Sequence, residues 1–157
     1  MKNMAVVYYS RGGNTKKMAE IIAEGAQKEG DIKVEMFDIK DFLPEAALKY
    51  DAIAIGSPTY YGSMAAEIKK FFDDSVSFHG KLSGKVGAAF SSAANIGGGN
   101  ETTINDILNA MLIHGMVVQG SYTGDHYGAV SIGAPDARAE KQCRELGVRT
   151  ASLVKKL

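Results

Sequence analysis

The chain has 157 residues, with 18 Lys and Arg against 18 Asp and Glu, so its formal net charge is zero. That balance excludes a basic field that recruits nucleic acid and an acidic field that steers cationic partners. Apolar residues make up 45% and charged residues 23%, the proportions of a soluble globule able to bury a core as one domain over 1–157. The single cysteine excludes an internal disulfide and a Cys-based metal site; no metal is expected, and a reducing cytoplasm suits the composition. Met1-Lys2-Asn3 leads straight into an apolar run, too short for a signal or membrane segment.

Residues 2–9 read as a buried strand, a continuous apolar run too short for a helix. Residues 15–29 read as a helix, with Met18, Ile21, Ile22 and Gly25 on one face and Gly30 as its stop. Ile32 to Phe37 alternates like a half-exposed strand, and Asp38 to Lys49 is an irregular connection with Pro44 and one helical turn. Ala52–Ile55 is a third strand, followed by a loop over Gly56–Gly62 and a helix with Met64, Ile68, Phe71 and Phe72 on one face.

Val86–Phe90 is the fourth strand, and Ser91–Asn100 reads as a long flexible loop. A helix from about Glu101 to Ile113 turns Ile104, Ile107, Leu108 and Met111 inward and ends at Gly115. Met116–Val118 is a short fifth strand, and residues 119–135 read as loop. The last helix starts near Asp136, with Ala139, Cys143, Leu146, Leu153 and Leu157 on one stripe, so Cys143 reads as a buried thiol.

Strands alternating with helices predict a three-layer α/β/α sandwich around a five-stranded parallel sheet. Right-handed crossovers place the loops after strands one, three and four on the sheet's carboxyl edge, where such folds bind ligands. All three loops are rich in Gly, Ser, Thr and Asn, and Ser91–Asn100 is longer than a strand-to-helix turn needs.

The first loop is the most informative. Ser10-Arg11-Gly12-Gly13-Asn14-Thr15 lies between a strand and a helix, the layout of a phosphate cradle. Free backbone N–H groups and the helix dipole converge there. Hydroxyls of Ser10 and Thr15 and the Asn14 amide add donors, and Gly12 and Gly13 permit close approach of an anion. An ordinary strand-to-helix turn capped by Thr15 is the plainer alternative. The loop lacks both the Lys of a P-loop and the third glycine of a dinucleotide fingerprint. Asp38 remains a stand-in for a ribose-binding acid. A phospho-receiver is discarded, because Gly56-Ser57-Pro58 stands where an aspartate would close strand three.

With these residues in view, the chain resembles the flavodoxin-like superfamily, and within it the WrbA-type NAD(P)H:quinone oxidoreductases. The first loop looks like a flavodoxin phosphate loop. Gly56–Ala65, Phe90-Ser91-Ser92, Gly97–Thr103, His114-Gly115-Met116-Val117 and Tyr127-Gly128-Ala129 resemble the WrbA type. The resemblance spans nearly the whole chain and implies strand order 2-1-3-4-5 with FMN at the switch point.

By that resemblance Ser10, Arg11, Gly12, Gly13, Asn14 and Thr15 hold the FMN phosphate. Pro58, Thr59, Tyr60, Tyr61 and Gly62 contact the flavin ring through backbone groups, with Tyr61 near its edge. Ser91, Ser92, Ala93, Ala94, Asn95, Ile96 and Gly97 wrap the other side and the ribityl chain. His114 lies by the exposed flavin face as a catalytic residue contributed by a neighbouring subunit. Without the resemblance, Tyr60 and Tyr61 read as cover for the sheet edge, and His114 as a helix-end residue favoured by the dipole. His79 and His126 read as loop histidines with no role.

The implied activity is two-electron reduction of a quinone by NAD(P)H on FMN, in a cytoplasmic homodimer or homotetramer. The alternative is a one-electron flavodoxin shuttle with a redox-protein partner, against which stand zero net charge and the absence of tryptophan. A bare FMN-binding scaffold has no positive support. The connection between strands two and three, and Ser75–Gly84, are shorter than in the longer WrbA-type enzymes, where those regions help build the tetramer and the active-site rim.

Overall fold

The computed structural model describes all 157 residues. Strand β1 (Lys2–Tyr8) is flanked by β2 (Ile32–Asp38) and β3 (Ala52–Pro58), followed outward by β4 (Val86–Ala93) and β5 (Val117–Val118). The order is β2-β1-β3-β4-β5, every pairing parallel, as the sequence predicts. Val6 sits opposite both Met36 and Ala54, which fixes the register at the centre.

Successive residues of β1 point to opposite faces and so feed two cores. Met4, Val6 and Tyr8 pack under α1 (Asn14–Gln27) and α4 (Ala137–Lys156). Ala5 and Val7 pack under α2 (Ala66–Asp74) and α3 (Asn100–Ile113), with Ile68, Ile104 and Ile107. Helices α1 and α4 approach almost backbone to backbone. A Cβ on Gly25 would lie 2.5 Å from Arg144 O, and one on Gly147 would strike Ile22 O.

Several expectations need correction. A sixth strand, β6 (Val130–Ile132), pairs with Ser91–Ala93 of β4 inside the stretch expected to be loop. It is three residues long and centred on a serine, too short and too polar for a periodicity signal. Strands β3 and β4 run on to Pro58 and Ala93, so Ser91, Ser92 and Ala93 are strand and only residues 94–99 form the loop. Ladder hydrogen bonds and burial outweigh the low strand propensity of those small residues. Residues 38–49 hold two 3-10 turns, Ile39–Asp41 and Pro44–Lys49, where one helical turn was expected. On α4, Leu153 is half-buried and Leu157 exposed, because the buried stripe continues through Thr150, Ala151 and Val154 and not through those leucines. Cys143 is fully buried as expected, and burial pushes its thiol up to about 12.

Candidate functional site

The order reverses between β1 and β3, so the loops leaving their carboxyl ends diverge and open a crevice. The first wall is the Ser10–Thr15 turn. Gly13, at φ 99°, caps α1 with no side chain satisfying the helix N–H groups. The first intrahelical bond is Lys17 N to Gly13 O at 3.0 Å. The amides of Asn14, Thr15 and Lys16 therefore precede the ladder and face an approaching anion. Ser10 Oγ accepts from Gly13 N at 3.0 Å and closes the turn. A Cβ on Gly12 or Gly13 would meet nothing within 4 Å, so the cradle is open. Thr15 does not cap the helix. It is buried, with its hydroxyl 2.9 Å from Ser92 Oγ. Arg11 is exposed at the loop's apex.

The second wall leaves β3. Thr59 N donates to Ser92 O at 2.7 Å, and Thr59 Oγ1 lies 3.0 Å from Ser91 Oγ. Tyr60 and Ser63 exchange backbone hydrogen bonds at 2.9 and 3.1 Å around Tyr61 at φ 50° and Gly62 at φ 76°. Two positive φ values in a row make this a type I′ turn. Tyrosine is a poor residue for such a φ, and the turn leaves its ring fully exposed. Tyr60 stands edge-on to Tyr9, centroids 6.3 Å apart. Burial, and then the nearby Glu67 carboxylate, raise the Tyr9 phenol above its ordinary value.

The third wall leaves β4. Ser91, Ser92 and Ala93 are buried in the strand, and the two hydroxyls brace Thr59 and Thr15. Ala94, Asn95, Ile96 and Gly97 form the exposed apex. Asn100 anchors the loop's base, donating to Ser91 O at 3.1 Å and Ser131 O at 3.3 Å. Sequence reasoning passed over Asn100, and also Thr102 and Asp106, which contact the second loop; their spacing from Gly99 along α3 was the available signal.

His114 lies elsewhere. It follows α3 at the amino edge of the sheet, remote from the three loops of its own chain. It is 6% exposed, with Nε2 2.7 Å from Ser75 Oγ and its ring stacked on Phe78. Ser75 Oγ donates to Phe72 O at 2.6 Å, so the imidazole carries its proton on Nε2 and donates to the serine. Nδ1 is then a buried lone pair without a partner. Burial, and then the neighbouring His79, lower its pKa. A shallow depression of about 440 Å³, with exposed Val76 and Ile113 at its rim, opens beside it.

The crevice fits a flavin mononucleotide by the chemistry of its donors. One cradle of uncapped amides suits one phosphate, and the hydroxyl-rich turn after β3 and the glycine-rich loop after β4 leave the same carboxyl edge of the sheet. No group of three His, Cys, Asp or Glu side chains is arranged to hold a metal ion, and no helix is long and apolar enough to cross a membrane.

Comparison with known proteins agrees with this geometry. The flavodoxin domain family matches residues 5–109. A flavodoxin of Aquifex aeolicus strain VF5 is 41% identical over 98% of this chain and 88% of its own. An NAD(P)H dehydrogenase (quinone) of Archaeoglobus fulgidus is 30% identical over the whole of both chains. The crystal structure of a flavodoxin, WrbA-like protein from Agrobacterium tumefaciens superposes with a TM-score of 0.81 at 27% identity, covering 99% of each chain. The chain belongs to the flavodoxin-like flavoproteins.

Proposed function

We propose that residues 1–157 form one FMN-binding unit that takes electrons from NAD(P)H and reduces a quinone by two electrons in the cytoplasm. The observation that carries this reading is the make-up of the crevice's second and third walls. Residues 56–65 and 91–100 contain no charged side chain, and Tyr61 and Ile96 stand exposed at their tips. A neutral, aromatic-edged slot suits a flat uncharged acceptor that stacks, and offers little to a partner guided by charge.

FMN, when bound, supplies the hydride and electron chemistry. The chain's own residues bind, orient and shield. The amides of Asn14, Thr15 and Lys16 hold the phosphate dianion, each charge-assisted bond contributing about 1.5–3 kcal/mol. Backbone groups from Pro58 to Gly62, and from Ala94 to Gly97, bound the ring on its two sides.

His114 has no route to the crevice of its own chain. Its role over a flavin face belongs to a neighbouring copy, seated so that the depression beside Ser75 meets that copy's crevice. The one-electron shuttle stays as the second reading, because the 41% identical relative is named a flavodoxin.

The test begins with denaturing the purified protein and identifying the released chromophore. FMN is expected, and FAD would overturn the proposal. Anaerobic mixing with NADH or NADPH, then with benzoquinone, should bleach and restore the flavin absorbance within catalytic times. Bleaching that needs another redox protein would favour the shuttle. Specific activity should also rise with protein concentration as copies associate.

A further inference from the structure

The first turns of α3 carry a polar stripe that points at the second loop. Gly99, Thr102, Thr103 and Asp106 are spaced i, i+3, i+4 and i+7, the spacing of a single helix face. All four meet the segment Thr59–Ser63. Thr102 Oγ1 donates to Gly62 O at 2.6 Å. Ser63 Oγ donates to Asp106 Oδ2 at 2.6 Å. Thr103 Oγ1 lies 3.1 Å from Thr59 Oγ1. Gly99 packs so closely that a Cβ on it would stand 2.8 Å from Gly62 Cα. A stripe meant only to bury α3 would be apolar; this one holds Thr59, Gly62 and Ser63, on both sides of a tyrosine in a conformation that tyrosine resists.

We propose that Thr102 and Asp106 are positioning residues for the flavin ring: from α3 they hold the type I′ turn at Tyr60–Ser63 so that its peptide groups and the Tyr61 ring meet the ring edge in one fixed arrangement. This rests on the FMN reading above. The phosphate cradle lies on another helix, so the stripe acts on ring recognition and leaves phosphate recognition alone. A turn that is held also interacts unequally with the oxidised and reduced rings, whose edge differs in hydrogen-bonding character, so the stripe sets part of the flavin's potential.

The experiment compares wild type with Thr102→Val, Asp106→Ala and the conservative Thr102→Ser. Binding of FMN, of riboflavin (which lacks the phosphate) and of inorganic phosphate competing with FMN is measured, together with the potential of the bound flavin. Thr102→Val and Asp106→Ala should weaken FMN and riboflavin about tenfold alike and leave the phosphate competition constant unchanged. The potential should shift, a tenfold change in the ratio of oxidised to reduced affinity being about 30 mV for the two-electron couple. Thr102→Ser should restore wild-type behaviour. Ring affinities within twofold of wild type, with the potential shifted by less than about 9 mV, would overturn the proposal. So would phosphate affinity falling in step with the ring, or a serine variant that behaves like valine.

Amide exchange at Tyr60 and Ser63, whose N–H groups close the turn, supplies an independent arm in the flavin-free protein. It should accelerate at least tenfold in Thr102→Val. Unchanged exchange would overturn the clamp even if wild type binds FMN well. Wild type that binds no flavin, while exchange responds as expected, would instead sink the FMN reading and leave the clamp on the turn standing.

Discussion

Thr15 and Ser92 lie 77 positions apart in sequence, and their hydroxyl oxygens lie 2.9 Å apart in a fully buried contact. The pair ties the first turn of α1, next to the phosphate cradle, to the end of β4. Neither hydroxyl has another side-chain partner, and removing one strands the other where water does not reach. Ser92→Ala should therefore lower stability by about 1–3 kcal/mol, the cost of a buried unsatisfied hydroxyl. At this chain length that is a fall of about 2–4 °C in Tm per kcal/mol, read by calorimetry. A loss under about 0.5 kcal/mol would mean that Thr15 finds a new partner.

The cradle itself is tested by charge. Thr15→Asp puts a carboxylate against Ser92, inside the first turn of α1 and behind the amides that would receive the phosphate, and FMN affinity per folded molecule should fall at least a hundredfold, about 2.7 kcal/mol. Thr15→Val serves as the control, since it removes the same hydroxyl without adding charge. It should retain most of the affinity in a fluorescence titration. Equal losses in the two variants would take the phosphate out of the first loop.

His114 makes stability depend on pH. Its folded pKa lies below the ordinary 6.5, so the unfolded chain binds the proton more readily. Stability from this residue is therefore full above pH 6.5 and falls as pH drops through that value toward the folded pKa. Protonation at Nδ1 would bury a cationic donor with no acceptor, beside His79, with Asp73 and Lys69 at the mouth of the same depression. Chemical denaturation between pH 7.5 and 5.5 should show this loss, and His114→Gln should flatten it. A profile identical in the two proteins would place the pH dependence elsewhere.

The same variant separates the two functional readings. His114→Gln should leave FMN affinity unchanged, because the residue is remote from its own crevice. If copies of the chain share a site, the variant should slow quinone reduction severalfold, by disturbing the surface around Ser75 that meets the neighbouring crevice, at concentrations where wild type is associated. Unchanged rates of flavin reduction by NAD(P)H alongside that slowing would locate the effect in the second half-reaction. Equal rates in both steps would confine His114 to its contact with Ser75.

The α1–α4 contact should tolerate no side chain. Gly147→Ala must push its Cβ into the Ile22 carbonyl, and overpacking of this kind costs about 1–3 kcal/mol even though alanine is the better helix former. Flavin affinity per folded molecule should be unaffected. A stabilised variant would mean that the two helices are free to separate.

The sequence alone determined the layer architecture, the strand order by way of its family resemblance, and the three loops that converge on the carboxyl edge. Those features are local. Apolar runs such as Met4–Tyr9, helical periodicity from Met18 to Gly25, and the turn Ser10-Arg11-Gly12-Gly13-Asn14-Thr15 are each written in contiguous residues. Tertiary structure decided what depends on partners distant in the chain. Ser91–Ala93 become strand only because β3 and β6 flank them with ladder bonds, against their own weak strand propensity. Tyr61 has a positive φ that no local preference of tyrosine favours, in a turn whose Gly62 and Ser63 are hydrogen-bonded to α3. His114 turns away from the crevice because α3 carries the chain back to the amino edge, where Ser75 and Phe78 enclose the ring. A sequence records which groups are available, and long-range packing decides which of them face the ligand and which are used to hold the others still.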